Sequence, residues 1–437
     1  MNILKECINK NFILVLTGFS YIWDSSGTSK VVKAHEVIFN KNNIDYIVLY
    51  PIGNKYKRIL GDNYYGIIIN GKFIEVITDN ELILLIKKLT ENQKSFIGVL
   101  IHHLIFNSIK NIIKILKSFN NIQIIFYLHD FYTYCVNYKL LKNNKEFCFK
   151  NNIIECKNCK YEYENKKHKI LINDFIDIFK NNIKFISPSE FTKNIWCQLF
   201  PNYAKKVVVL PHLIPQKIYK KTMPLLNNNQ LKIAYIGAQI ESKGWNIYKK
   251  IVEVTNSKKC NYKFYYFGFP NEKLDNVNNV LVQVHRQGKN AMIDSLRNEN
   301  IDIVVLPAIW PETYSYTMYE AFAANSYILT LADSGNIAYT VKRNNIGKVF
   351  ESEKEIYLYI SNEEIVRKDL YFYLHNKKHS PLYYEDNYQI LNLFDINKKI
   401  VVNCNLKRDS LYTRCITRIL NITYLLKRTI KKGYGHD

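Results

Sequence analysis

The feature that most constrains the fold is an alternation of short apolar runs with amphipathic segments, which occurs twice along the chain. This alternation is typical of a parallel α/β sheet with helices packed on it. The first series runs from 12–16 to 207–210, and the second restarts at 231–236. Between them, 211–230 carries prolines and a run of asparagines, which is typical of a linker. Since 437 residues also exceed one ordinary core, the sequence predicts two Rossmann-like domains that share a cleft.

The predicted domain boundaries follow from this pattern. The expected units are a first domain over 1–214, a second over 215–395 and a basic tail over 396–437. The predicted strands are 12–16, 44–50, 97–101, 122–127, 185–187, 207–210, 231–236, 263–267, 280–284 and 301–306. A hairpin is predicted over 66–77, turning at Asn70-Gly71. The principal predicted helices are 30–40, 81–88 with Asp79 as its cap, 245–254 and about 314–324.

Composition limits the function classes without choosing one. The net charge of +23 is typical of partners such as nucleic acid or anionic membranes, but lysine is spread along the whole chain. Only the residues from 398 onward form a clearly basic cluster. No run of about 18 apolar residues occurs, and the short run at 12–16 is a poor secretion signal. Nine cysteines without an export signal favour a reducing cytoplasm.

A candidate anion site follows the last strong strand of the second half. Pro311 precedes a predicted helix, whose first N–H groups and positive dipole end would lie near Thr317. Glu312 and Glu320 are about two turns apart, so both carboxylates could face one end of the cleft. Lys243 lies in another strand-to-helix turn, where its ammonium could meet a phosphate. The alternative is that Glu312 caps the helix while Glu320 and Lys243 are solvated.

Together these segments resemble the family 4 glycosyltransferases, retaining enzymes of the GT-B fold, in order over nearly the whole chain. The matching residues in the second half are Gly237, Lys243, Gly244, Gly268, Pro311, Glu312, Glu320, Ala321, Ala323 and Gly335. The resemblance implies that Glu320 holds the ribose hydroxyls of a nucleotide sugar and that Glu312 lies near the donor sugar. It also implies that Lys243 and the amides around Tyr316 and Thr317 bind the diphosphate.

Three positions depart from the family pattern. Ala238 stands where an arginine is usual, so one diphosphate charge is missing or supplied elsewhere, with Arg286 as a candidate. Ser315 and Asn325 stand where glycine is common.

Gly268, among the matching residues, corresponds to a glycine that lies on the nucleoside side in the family.

The first half supplies residues that would face the donor across the cleft. Gly27 opens a predicted helix, matches the family's loop, and would allow close approach of a phosphate or sugar. His129, in a His-Asp pair after a strand, is placed by the resemblance against the donor sugar. His102 and His103 end another strand and are candidates for the acceptor side. Ser189 is expected to cap a helix, with an acceptor contact as the alternative.

Four cysteines cluster shortly after His129, and they leave several interpretations open. Cys135, Cys148, Cys156 and Cys159 would suit a structural zinc ion, although the spacing is irregular. Free thiols or a redox pair are the alternatives. The sequence contains no Asp-x-Asp triplet, which agrees with a reaction that needs no metal cofactor.

The tail beyond residue 398 has two interpretations. Residues 411–430 are helix-like, with Tyr412, Ile416, Ile419, Leu426 and Ile430 spaced to share a stripe. A basic amphipathic helix can lie on an anionic membrane, or it can cross back and pack on the first domain.

The sequence and its resemblance therefore predict a cytoplasmic retaining glycosyltransferase, with a peripheral location on the inner face of the cell membrane left open. It would move a sugar from a nucleotide-diphosphate donor to a saccharide or lipid-linked acceptor, in surface polysaccharide, lipopolysaccharide or glycolipid synthesis. The implied reaction is a front-face attack in which the departing phosphate assists deprotonation of the acceptor. A catalytically silent nucleotide-sugar-binding subunit and a GT-B nucleotide-sugar epimerase are the alternatives, and nucleic acid is not an expected partner.

Overall fold

The structure is a computed structural model that describes most of the chain. The described residues are 6–24, 26–52, 61–150, 153–154, 156–216, 218–219, 230–376, 380–381, 383–403 and 409–433. Most of the predicted linker, 217 and 220–229, lies outside these residues, as do Lys407 and Arg408 of the basic tail.

The first half of the chain forms a sheet of eight described strands. From edge to edge the strands are Val207–Val209, Ile183–Ser187, Ile124–Tyr127, Ser95–Ile101, Asn11–Leu16, Ile44–Pro51, Tyr64–Ile69 and Lys72–Thr78. All neighbours are parallel except in the last three strands, where a hairpin turns at Asn70-Gly71 as predicted. Residues of Asn11–Leu16 alternate between two cores, one on each face of the sheet. This two-sided burial explains why the strand is continuously apolar.

The second half forms a parallel sheet of six described strands. In spatial order they are Val277–Leu281, Tyr262–Gly268, Leu231–Ile236, Ile303–Val305, Tyr327–Leu331 and Gly347–Phe350. Numbered along the chain this is the order 3-2-1-4-5-6 of a Rossmann domain, whose ligands bind where the order reverses. The reversal lies between Leu231–Ile236 and Ile303–Val305, the two strands that lead to Lys243 and Glu312. The predicted fold class, GT-B with two Rossmann-like domains, is confirmed by these strand orders.

Helices connect the strands of both sheets. In the first half they are Gly27–Lys41, Asp79–Glu91, Ile109–Lys117, Glu162–Phe179 and Glu190–Leu199. In the second half they are Trp245–Ser257, Val284–Gln287, Ala291–Asn298, Tyr316–Ala324, Asn336–Asn344, Glu353–Ile360 and Glu363–Asn376. Within the described residues, none combines the length and apolar character that a bilayer span requires.

Three predicted elements were wrong in detail. The predicted strand 280–284 is observed as Val277–Leu281, and a short helix begins at Val284. The cap of Asp79–Glu91 is Thr78, whose hydroxyl accepts from Glu81 N while the Glu81 carboxylate accepts from Thr78 N. This reciprocal capping box satisfies two helix-end donors, which Asp79 could not do from inside the helix. The strand predicted over 301–306 has only three residues, Ile303–Val305.

The chain returns to the first domain after the second sheet. Leu213–Pro215 pairs antiparallel with Tyr384–Asp386, so the outgoing and returning segments run side by side. Beyond them, Ile390 and Phe394 pack into the core of the first domain. The C-terminal helix Leu411–Gly433 then contacts the edge strand Lys72–Thr78. Of the two interpretations of the tail, the structure therefore has the helix packed on the first domain.

Candidate functional site

The turn that carries Lys243 is fixed by a glycine. A 3-10 turn, Glu241–Lys243, leads to Gly244, which has a φ of +84° and precedes the helix that begins at Trp245. A side chain at Gly244 would collide with the carbonyl of Pro307, so only glycine lets the two segments approach. Ile309 N donates to Ser242 O at 3.1 Å and joins the same segments. Lys243 is thereby held beside the residues that follow the neighbouring strand.

Glu312 is buried at this edge with its carboxylate beside Lys243. Its Oε1 accepts from Trp310 Nε1 at 3.1 Å, and Lys243 Nζ lies 3.5 Å from the same oxygen. The Glu312 carbonyl accepts from Asn336 N at 2.7 Å. Gly335, with a φ of +67°, is required here, because a Cβ would come within 2.6 Å of Glu312 N. Glu312 therefore does not cap the following helix, which was the alternative interpretation.

The helix Tyr316–Ala324 begins at the same edge. Its cap is Ser315, whose hydroxyl accepts from Met318 N at 3.3 Å. Helix geometry leaves the N–H groups of Tyr316 and Thr317 without intrahelical partners, and the helix dipole makes this end positive. A Cβ on Gly237 would lie only 3.3 Å from the Thr317 methyl group, and one on Gly268 only 3.0 Å from Gly237 O. The two glycines and the helix start thus form one cradle.

Glu320, on the same helix, is buried rather than solvated. It is 7% exposed, and burial raises the pKa of its carboxyl, while the charges of Lys30 and Lys243 oppose that rise. One of these lysines comes from each domain. Glu320 is therefore not the solvated surface residue of the alternative interpretation, and its charge interacts with one lysine of each domain.

Two lysines of the first domain reach this site, and neither was identified from the sequence. Lys30 Nζ lies 5.2 Å from the ring centre of Tyr316, and Lys139 Nζ donates to Ser242 Oγ at 3.1 Å. Burial lowers the pKa of Lys139, with Glu312 opposing and Lys243 adding to that effect. Arg286, the candidate for the missing charge, is exposed in the short helix Val284–Gln287. Lys30 lies one turn beyond Gly27 and could have been inferred, whereas Lys139 lies in a loop without a recognisable motif.

Gly27 faces the second domain directly. It is the first residue of its helix, after the cap Ser26, and a Cβ there would lie 3.9 Å from the Tyr316 ring. Thr313 Oγ1 donates to the carbonyl of His129 at 2.5 Å and links the domains beside it. Ser189 caps its helix as predicted, and its hydroxyl also donates to Thr313 O at 2.8 Å. The Ser189 hydroxyl thus donates its proton to a bond between the two domains. The alternative of a contact between Ser189 and an acceptor therefore has no support.

The histidines of the first domain form a cluster around Tyr127. Ring centres of His35, His102, His129 and His212 lie 4.6 to 5.8 Å from that of Tyr127. Burial lowers the pKa of all four imidazoles, and that of His35 falls to about 3. The four rings are therefore neutral at pH 7. Neither His35 nor His212 was identified from the sequence, because neither lies in a motif.

The two histidines that were predicted to line the acceptor side have different surroundings in the structure. His102 is 1% exposed and lies behind His129, with its Nδ1 2.7 Å from His129 Nε2, so it cannot line an acceptor site directly. His103 contacts Asp130 Oδ2 at 2.8 Å and Thr28 Oγ1 at 2.9 Å. The second contact joins His103 to the first turn of the helix that begins at Gly27.

The four clustered cysteines line one small cavity in the first domain. These are Cys135, Cys148, Cys156 and Cys159. Burial raises the pKa of the Cys135 thiol to about 11 and that of Cys148 to about 12. Among the described residues, no group of three or more His, Cys, Asp or Glu side chains is arranged to hold a metal ion. The structure therefore brings the cysteines together without supporting the structural zinc.

No protein-family model matches the chain, and no curated protein does.

Solved structures do match, at low identity. HepE of Anabaena, in complex with UDP-glucose, is 12% identical over 88% of this chain and 96% of its own, with a TM-score of 0.48. Sucrose-phosphate synthase of Thermosynechococcus elongatus is 10% identical over 84% and 94%, with a TM-score of 0.49. WaaG, a glycosyltransferase involved in lipopolysaccharide biosynthesis, is 12% identical over 83% and 93%, with a TM-score of 0.48.

Proposed function

We propose that the protein is a retaining glycosyltransferase of the family 4 type, with a nucleotide-diphosphate sugar as its donor. One observation carries this proposal: where the strand order of the second sheet reverses, Lys243 Nζ lies 3.5 Å from the buried carboxylate of Glu312. The helix that begins four residues later carries the buried Glu320. Carboxylates accept hydrogen bonds from ribose and sugar hydroxyls, and a helix start with a lysine binds phosphate oxygens. A nucleotide sugar presents both kinds of group.

The proposed binding mode assigns a role to each side of the cleft. The N–H groups of Tyr316 and Thr317 bind the diphosphate, together with Lys243, and Glu320 accepts from the ribose hydroxyls. The cations Lys30 and Lys139 reach this edge from the first domain and supply the charge that Ala238 does not. Lys243 is already shared with Glu312, so a bound diphosphate would compete for its ammonium.

The proposed chemistry is transfer with retention of the anomeric configuration. As the sugar–phosphate bond breaks, negative charge develops on the departing diphosphate, and the helix start and lysines stabilise it. The acceptor hydroxyl attacks from the same face, and a departing phosphate oxygen takes its proton. Glu312 and His129 would lie against the donor sugar, and closure of the two domains would exclude water.

The proposed acceptor is a growing surface polysaccharide or glycolipid. The C-terminal helix supports a location at an anionic membrane surface, because Leu411, Tyr412 and Ile419 are exposed beside exposed Arg414 and Arg418. Such a mixed apolar and basic face can lie in the headgroup region while the opposite face packs on the protein.

Thermal stabilisation by a panel of nucleotide sugars tests the donor site, and transfer to added acceptors tests the enzyme. For the nucleotide sugar that raises Tm most, Glu320→Gln is expected to weaken binding about tenfold, the worth of one charged hydrogen bond. Lys243→Ala is expected to lower kcat about a hundredfold through lost stabilisation of the leaving group.

Lys250→Ala is the matched control, because Lys250 pairs with Glu253 on the outside of the helix that follows Lys243. Unchanged kinetics in both site variants would refute the proposed site. Donor binding without turnover would favour the silent binding subunit instead.

A further inference from the structure

A chain of hydrogen bonds leads from a buried tyrosine to the histidine at the cleft. Tyr46 Oη lies 3.3 Å from His102 Nε2, and His102 Nδ1 lies 2.7 Å from His129 Nε2. Tyr46 and His102 are 0% and 1% exposed. His35 Nδ1 is 3.4 Å from His102 Nε2, at the limit of a hydrogen bond. Each imidazole in this chain is neutral, so each carries one N–H and one acceptor nitrogen.

Only two proton arrangements satisfy the short contact between His102 and His129. In the first, His102 Nδ1 carries the proton and donates to His129 Nε2, so the proton of His129 is on Nδ1. In the second, His129 Nε2 donates to His102 Nδ1, and the proton of His102 is then on Nε2. The tautomers of the two rings are therefore coupled, and fixing one fixes the other.

The buried hydroxyl of Tyr46 distinguishes the arrangements. Among the described residues, its only hydrogen-bonding partner is His102 Nε2. If that nitrogen carried a proton, the hydroxyl would accept the bond, and its own proton would be left buried without an acceptor. Such a group is costly to bury, so Tyr46 donates and His102 Nε2 accepts. His102 then donates through Nδ1, and His129 carries its proton on Nδ1.

His129 Nδ1 is the end of this chain that a ligand can reach. Among the described residues, the His129 ring has no hydrogen-bonding partner besides His102, yet its Nδ1 is not among the fully buried side-chain atoms that lack a partner. The main-chain carbonyl of His129 also accepts from the hydroxyl of Thr313, which lies three residues before the helix start of the donor site. The accessible nitrogen is thus at the domain boundary of the cleft.

We propose that Tyr46 and His102 are positioning residues that hold His129 as an Nδ1–H donor toward the ligand in the cleft. That the ligand is a nucleotide sugar, with a sugar oxygen accepting from His129, rests on the proposed function. Tyr46 lies on the strand Ile44–Pro51 and His102 directly after Ser95–Ile101, so core residues of two strands determine the hydrogen-bonding character of the site.

The tautomer of His129 in the free protein tests this directly, by ¹⁵N NMR of histidine-labelled protein at pH 7.5, assigned with His129→Gln. Wild type is expected to show His129 protonated on Nδ1. In His102→Asn, the introduced amide nitrogen takes about the place of Nδ1 and donates, so the tautomer is retained. In His102→Asp, the introduced carboxylate can only accept, so Nε2 of His129 becomes protonated.

Tyr46→Phe removes the hydroxyl that orders the chain, and a mixture of His129 tautomers is expected. Tyr127→Phe is the matched control: its hydroxyl is also buried beside these rings but donates to Leu210 O at 2.8 Å, outside the chain. Its His129 spectrum is expected to match wild type. Wild-type His129 protonated mainly on Nε2 would overturn the proposal, even if no variant folds. A spectrum unchanged in both Tyr46→Phe and His102→Asp would do the same.

A binding measurement extends the test to the ligand. Tyr46→Phe is expected to weaken a bound nucleotide sugar about fivefold, and the matching nucleoside diphosphate by less than about twofold, because one hydrogen bond to the sugar is lost. Equal weakening of both ligands would contradict the sugar contact. If wild type binds no nucleotide sugar, the proposed function fails, while the tautomer measurement still decides the role of Tyr46 and His102.

Discussion

At the scale of single residues, Gly27 is unusual because the protein itself does not require a glycine there. Its φ is not positive, and a Cβ would make only ordinary contact with Tyr316 at 3.9 Å. Gly244 and Gly335, by contrast, have positive φ and no room for a side chain. The space in front of Gly27 is therefore available to a ligand that approaches the first turn of its helix.

Gly27→Ala is expected to leave Tm unchanged or slightly raised, since alanine is the better helix former. Binding of the nucleotide sugar is expected to weaken by about 1–3 kcal/mol, because the added methyl group takes the space between Gly27 and Tyr316. Thermal unfolding and ligand titration measure the two effects separately. Val37→Ala, at an exposed position of the same helix, is the control. Unchanged affinity in Gly27→Ala would place the ligand elsewhere.

The sequence identified site residues where a motif joins them, and missed those that only the tertiary fold brings in. Glu312 and Lys243 follow neighbouring strands, so parallel-sheet geometry placed them at one edge. Lys139 reaches Ser242 from a loop 103 residues earlier, a contact with no local signal. Tyr46 and His35 are separated from His102 by 56 and 67 residues, and an isolated core histidine has no sequence signature.

At the scale of elements, the C-terminal helix completes the open edge of the first sheet. Asn421 Nδ2 donates to Val76 O at 3.1 Å, and its Oδ1 accepts from Val76 N at 2.5 Å. The amide thus pairs with the edge strand as another strand would. Asp409, before the helix, accepts from Thr78 Oγ1 at 2.5 Å and from Asn80 Nδ2 at 2.7 Å.

The stripe predicted for this helix was partly wrong. Ile416 and Leu420 face the domain, whereas Tyr412 and Ile419 are exposed. The side chains of Leu426 and Ile430 lie outside the described residues. Helical spacing correctly identified an amphipathic segment. The face that packs on the domain is the one that carries Asn421, whose amide bonds to Val76. A hydrophobic pattern does not include such a polar residue.

Asn421→Ala is expected to lower the free energy of unfolding by about 1–3 kcal/mol, because Val76 would keep two buried main-chain groups without partners. Denaturant unfolding measures this, and hydrogen exchange at Val76 N–H is expected to become faster. Ile422→Ala changes the exposed neighbour on the same helix and is expected to have little effect. Equal loss in both variants would show that the helix stabilises by burial alone.

At the scale of the whole molecule, the histidine cluster couples the stability of the first domain to pH. His35, His102, His129 and His212 are buried without charge, and the pKa of His35 is lowered to about 3 from a usual value near 6.5. An unfolded chain takes up these protons as the pH falls below about 6.5, whereas the folded protein does not. The unfolded state then binds more protons, so stability falls with decreasing pH.

The free energy of unfolding is therefore expected to decrease between pH 7.0 and 5.5, with a limiting slope of about 1.4 kcal/mol per pH unit for each buried histidine. Denaturant unfolding at a series of pH values gives the slope, and with it the number of protons taken up. His35→Phe is expected to reduce that number by about one. Below about pH 6.5 the unfolded chain binds a proton at His35, whereas the folded protein does not bind it until the pH approaches the folded pKa of about 3. A flat profile between pH 7.0 and 5.5 in wild type would mean that the cluster admits protons while folded. Its hydrogen-bonded chain would then not hold one tautomer in that range.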